Sequence, residues 1–196
     1  MATTTPWGKS QHTTNYGRGV NFYSTAGHGG FKVSKALNAS MPAAIRNADG
    51  WYEEDCEYAK VMIAFPERFT ETQFADAKDS LRMWNPDAYE RVFGVVLAPG
   101  ESFIKDRRLF LQEHAADFIV ISARTTADDA SMVDVWAMLG GRPSDGRERR
   151  AEKRFRVTAA EYDARGRHGF VIDLGRHVEV TAAGVQLADG RKIQIP

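Results

Sequence analysis

His28 and Cys56 are the residues of this sequence best suited to covalent chemistry. Cys56 is the chain's one cysteine. The run from Asp49 to Phe65 reads as a helix, which puts Cys56 near a helix N-terminus. A thiol there has a lowered pKa and becomes a better nucleophile. A histidine on a nearby strand could serve as its base. Two features oppose this chemistry. Glu53, Glu54, Asp55 and Glu57 flank the cysteine, and carboxylates that close disfavour a thiolate. Cys56 also shares a predicted helix face with Tyr52, Ala59 and Ile63, where a free cysteine behaves as a small buried hydrophobe. A Cys/His-dependent enzyme using His28 and Cys56 is therefore an alternative, and a protein without catalysis is the leading expectation.

His28 sits in Gly27-His28-Gly29-Gly30. Glycines around a histidine let a ligand approach the backbone closely, and they equally serve a tight turn. Gly8-Lys9-Ser10 ends like a phosphate-binding loop but has no glycine five residues before it. The five histidines, at 12, 28, 114, 168 and 177, show no His-x3-His spacing. No metal and no cofactor is expected. A metal site would have to assemble from separated residues such as His28, Asp55 and Cys56.

Three groups could bind a partner. Residues 142–156 hold Arg142, Arg147, Arg149, Arg150, Lys153, Arg154 and Arg156 against Asp145, Glu148 and Glu152. That local excess of positive charge could grip phosphates or an acidic protein surface. Glu53 and Glu54 belong to an acidic cluster that could dock a basic partner. The same acids would suit the positive end of a helix dipole. Trp51 and Trp7 lie in polar surroundings and could anchor an interface, whereas Trp84 and Trp136 sit in core-like patterns.

These residues need elements to position them. Residues 1–18 are polar and read as a flexible arm. Val20 to Ser24 and Gly30 to Ser34 read as a hairpin. Thr70 to Trp84 is the clearest helix, opened by a Thr70/Gln73 capping box. Asn85-Pro86 starts another that stops at Gly94, and Glu101 to Ala115 forms a third. Phe118 to Ala123, Met132 to Leu139 and Gly169 to Asp173 read as strands. Thr158 with Glu161 caps a short helix, and the tail from Val178 is a meander with a turn at Asp189-Gly190. The fold class expected is α+β, with a helical N-terminal half bearing a small hairpin and an antiparallel, β-rich C-terminal half. Residues 19–196 would form a single domain, with a possible lobe boundary near 95–100.

Composition narrows the functions. The chain has 196 residues, with 26 basic and 26 acidic side chains, so a globally basic nucleic-acid binder is disfavoured. One cysteine excludes an internal disulfide framework. No apolar run is long enough to span a membrane, and the N-terminus lacks the apolar segment of a signal peptide. A cytoplasmic protein without membrane contact is expected.

Trp7-Gly-Lys, Asn15-Tyr-Gly-Arg-Gly, Phe22-Tyr-Ser-Thr-Ala-Gly-His-Gly-Gly-Phe-Lys, Gly50-Trp-Tyr-Glu-Glu-Asp-Cys-Glu, Glu101-Ser-Phe-Ile-Lys and Phe170-Val-Ile-Asp stand in that order. Together they resemble an uncharacterised domain family of bacterial plasmids and prophages, over roughly residues 6 to 180. The resemblance implies a protein of a mobile genetic element. The function expected is a non-enzymatic binding protein that occupies a host protein or protein complex, such as an inhibitor of host defence (an anti-CRISPR or anti-restriction factor). A nucleic-acid-binding protein using the 142–156 arginine loop is the further alternative.

Overall fold

The computed structural model describes residues 2–55, 57–126, 129–143, 148–181, 184–186 and 192–193. The chain divides into two compact units, Met1–Lys105 and Asp106–Pro196. Among the described residues there are six α-helices and three antiparallel sheets.

The first unit begins with a two-stranded ribbon, β1 (Thr4–Thr5) and β2 (Gly8–Lys9). Four strands follow, β3 (His12–Asn15), β4 (Val20–Ser24), β5 (Gly29–Val33) and, after helix α1 (Lys35–Ser40), β6 (Trp51–Glu53). They form one sheet in the order β3-β4-β5-β6. Helices α2 (Tyr58–Ala64), α3 (Glu71–Trp84) and α4 (Pro86–Phe93) complete the unit. Val20, Phe31, Val33 and Tyr52 from the strands share a core with Ile45, Val61, Ala77 and Leu81. The helix signals act as the sequence implies. Thr70 accepts the Gln73 amide N–H at 3.2 Å, and the Gln73 side chain accepts the Thr70 N–H at 3.0 Å. Gly94 closes α4 in the left-handed conformation.

The N-terminal half is therefore not helical, contrary to the expectation, because β1 to β6 all lie within it. The β4–β5 hairpin is as expected, and two causes hid β3 and β6. All four residues of β3 are exposed, so neither face leaves an apolar alternation to read. Pairing holds the strand instead, with Asn15 donating to Asn21 across the register at 2.8 Å. The second cause lies at 49–57. Gly50 has φ +70°, and a Cβ there would stand 2.8 Å from the Val33 carbonyl oxygen. This glycine turns the chain into β6 rather than into a helix. Tyr52 then lies opposite Phe31. Its phenol donates to Asn38 Oδ1 at 2.5 Å and accepts the Asn47 N–H at 3.0 Å. Burial raises the Tyr52 pKa above that of an ordinary phenol. The helix predicted from Asp49 begins only at Tyr58. Trp84, read as core, is 61 % exposed and leans on Phe103 with ring centroids 5.1 Å apart.

Helix α5 (Phe103–Glu113) runs across the division between the units. The second unit continues with β7 (Phe118–Thr125), β8 (Met132–Leu139), β9 (Glu152–Thr158), helix α6 (Ala159–Asp163), β10 (Val178–Thr181), β11 (Gly184–Gln186) and β12 (Lys192–Ile193). Its sheet is an antiparallel meander in the order β12-β11-β10-β9-β8-β7. Val133, Val135, Ala137, Phe155 and Val157 alternate onto one face and pack with Ile172. Residues 169–173, predicted as a strand, pair with β7 through an isolated bridge between Ile119 and Val171, flanked by the Val120 N–H on the Phe170 carbonyl and the Ile172 N–H on the Phe118 carbonyl, and Gly169 bridges Gly166. The predicted turn at Asp189-Gly190 lies outside the described residues. Among the described residues, no helix is long and apolar enough to cross a membrane.

Candidate functional site

The first unit gathers His28, Glu53 and Asp55. His28 closes the β4–β5 hairpin. Its N–H donates to Thr25 Oγ1 at 3.2 Å, and its carbonyl accepts the Thr25 hydroxyl at 2.7 Å. Glu53 ends β6, the strand beside β5, so the register carries it to that end of the hairpin. His28 Nδ1 lies 3.7 Å from Glu53 Oε1. Glu53 Oε2 accepts the Asp55 N–H at 2.8 Å, which fixes the carboxylate. One donor atom from each of the three side chains falls within 4.8 Å of the others. Glu53 and Asp55 thus converge on His28 rather than capping a helix. Cys56, the other half of the expected His28/Cys56 pair, lies outside the described residues.

The glycines of this hairpin serve packing. A Cβ on Gly30 would stand 2.2 Å from the Trp7 ring and 2.4 Å from the Tyr52 carbonyl oxygen. One on Gly29 would stand 2.5 Å from Glu54 Oε2. Trp7 can therefore lie directly on the sheet. It meets Trp51 edge-on, with centroids 5.7 Å apart and planes at 87°. Lys32 Nζ covers Trp51 at 4.7 Å, and Tyr23 lies 5.7 Å from it. Trp7 and Trp51, candidates for an interface, are thus largely engaged with each other and with their own sheet.

In the second unit the arginines of 142–156 separate into two places. Arg154 and Arg156 stand on one face of β9. Asp134 lies opposite Arg156 on β8, and Trp136 lies opposite Arg154. Asp134 is 5 % exposed. Its carboxylate accepts Arg156 Nε at 2.9 Å and is also bonded by Arg154. Burial pushes the Asp134 pKa up, but the hydrogen bonds from Arg156 and Arg154 outweigh it and hold the carboxyl below the ordinary carboxylate value. The Arg154 guanidinium also covers Trp136 at 5.3 Å. Arg154, expected to bind a partner, joins this cluster with its side chain 40 % exposed.

Arg150 and Arg142 lie elsewhere. They line a cleft of about 710 Å³ with Arg107, Arg108, Leu111, Gln112, Ala115, Gly140 and Pro143. Helix α5 makes one wall. Arg107 and Leu111, and Arg108 and Gln112, are spaced four apart and so share a helix face. Arg150 fixes the opposite wall. It donates to the Gly140 carbonyl at 3.2 Å, and it pairs with Glu148 at 2.7 Å. Arg107, Arg108 and Arg142 are exposed, and among the described residues lining the cleft none is acidic, the Glu148 carboxylate on Arg150 lying outside that lining. Arg149 is exposed beside Arg150. Arg147 lies outside the described residues. Reading the sequence singled out 142–156 and missed Arg107 and Arg108. Their signal was an arginine doublet on a helix already recognised.

The chain belongs to a family described as a domain of unknown function (DUF7007), which it matches over residues 1–115. The match covers the first unit and the α5 wall of the cleft, and it ends before the loop that carries Arg142 and Arg150. Neither a curated protein nor a solved structure matches the chain.

Proposed function

We propose that this is a non-enzymatic binding protein whose ligand is the phosphate backbone of a nucleic acid, held in the arginine cleft of the second unit. The observation that carries the reading is the convergence of Arg107, Arg108, Arg142 and Arg150 on one cleft, with no acid among its described lining residues. A guanidinium presents a planar fork of donors that matches two phosphate oxygens. A volume of about 710 Å³ exceeds what one phosphate fills and suits a stretch of backbone. The chain's zero net charge gives no long-range attraction, so affinity must come from this local group and must weaken with salt.

The mobile-element setting belongs to the same proposal and rests on the resemblance of the ordered motifs alone. An inhibitor of a host defence complex would act here by occupying the nucleic acid on which such a complex works. The Cys/His alternative rests on Cys56, which lies outside the described residues.

The test is fluorescence anisotropy with labelled single-stranded and duplex oligonucleotides at low salt, for the natural chain and for Arg107→Ala/Arg108→Ala/Arg142→Ala. These three side chains are exposed, so the variant should fold. The reading requires saturable binding that the triple variant weakens about tenfold or more. Failure of either oligonucleotide to bind, or equal binding by the variant, removes it. Capture of an acidic protein in place of nucleic acid by the same arginines also removes it, and returns the host-protein reading.

A further inference from the structure

The cluster at the end of the N-terminal hairpin has no part in that proposal and has a chemistry of its own. We infer that His28, Glu53 and Asp55 bind one divalent transition-metal ion of the Zn²⁺ or Mn²⁺ class. The three side chains come from two separate stretches of chain, the hairpin turn at 25–28 and the end of β6. The β5–β6 register, not sequence spacing, brings them together. This explains why no ligand motif is visible in the sequence.

The donor geometry is close to what an ion needs. Ligands at about 2.1 Å from a tetrahedral ion stand about 3.4 Å from one another. His28 Nδ1 and Glu53 Oε1 stand at 3.7 Å, and the three donor atoms all lie within 4.8 Å. Asp55 is exposed and the His28 side chain is 58 % exposed, so small side-chain rotations close the remaining gap without moving the sheet. Glu53 is the fixed member, because the Asp55 N–H holds its second oxygen.

The donor set selects the ion. A neutral imidazole and two carboxylates give a charge of minus two at the site. Glu54 follows Glu53 in the chain, with its Oε2 close over Gly29. Among the described residues, no lysine or arginine pairs with Glu54 or Asp55. A site of this charge attracts a cation. The imidazole disfavours Mg²⁺ and Ca²⁺, which take oxygen ligands, and favours Zn²⁺, Mn²⁺ or Fe²⁺. Three protein ligands leave at least one position for water, the open arrangement rather than the closed structural one.

The experiment is isothermal titration of the untagged full chain with ZnCl2 and separately with MnCl2, paired with thermal unfolding in the presence and absence of each ion. The inference requires saturable one-to-one binding of at least one ion and a rise in melting temperature with it. His28→Ala and Asp55→Asn, both at exposed positions, should each weaken binding about tenfold or more, because each removes a direct ligand. Glu53→Gln should do the same while its melting temperature without metal reports whether the sheet is intact. Cys56→Ser separates a thiol site from this one and should leave affinity unchanged. Absence of saturable binding to both ions overturns the inference. So does binding that survives His28→Ala and Asp55→Asn, or that is lost with Cys56→Ser.

Discussion

Arg154 and Arg156 on β9 and Arg142 and Arg150 around the cleft come from one stretch of chain with a single excess of positive charge. The fold uses them differently. Asp134, almost fully buried, takes hydrogen bonds from both Arg154 and Arg156. A buried carboxylate needs such partners, and once it has them their charges are spent on the fold. Around the cleft the added arginines come from α5, and among the described lining residues there is no carboxylate, although Glu148 pairs with Arg150 from outside the lining. Charge that looks uniform in sequence divides into a pair gathered on the buried Asp134 and a group around a cleft, and the partner across the strand decides which is which.

The difference can be broken most severely at Asp134. Asp134→Asn should lower stability by about 2–3 kcal/mol, near the lower end for a broken buried pair because Arg154 still reaches solvent. Denaturant unfolding reads that loss, and oligonucleotide affinity should not move. The same carboxylate sets an acid limit. Its folded pKa lies below the ordinary value, so its contribution is complete above the usual carboxylate range. The contribution is lost as pH falls through the folded value, and Asp134→Asn should flatten that part of the stability profile.

The first unit supplies a smaller effect of the same kind. Tyr52→Phe removes the hydroxyl shared by Asn38 and Asn47 and should cost about 1–2 kcal/mol by leaving a buried amide oxygen unsatisfied. Chemical denaturation reads the loss. Smallest of all, Arg107→Ala, Arg108→Ala or Arg142→Ala taken singly should change stability by no more than about 0.5 kcal/mol, which urea midpoints would show. Any larger loss would mean these arginines also hold the fold, and the contrast would fail.

The sequence carried the parts of this account that depend on local chemistry. The capping box at Thr70, the stop at Gly94, the hairpin around His28 and the apolar strand of Met132 to Leu139 all read directly. It hid what depends on distant pairing. β3 is an exposed edge strand of His, Thr and Asn with no periodicity to see. Tyr52 falls on a helical spacing with Ala59 and Ile63, yet its hydroxyl partners and its place opposite Phe31 make it part of a strand. The candidate metal ligands were scattered by the same effect, since only the β5–β6 register sets Glu53 near His28. Arg107 and Arg108 were legible as charges, but their meeting with Arg142 and Arg150 was not, because it depends on where a helix lies against a loop.

The most direct measurement is the salt dependence of oligonucleotide binding by the natural chain and by Arg107→Ala/Arg108→Ala/Arg142→Ala. Three phosphate contacts predict a slope of log affinity against log salt of about −2 to −3 for duplex DNA, falling towards zero in the triple variant. A natural chain with no slope, or a variant that keeps the full slope, would contradict the proposal that this cleft binds phosphate backbone.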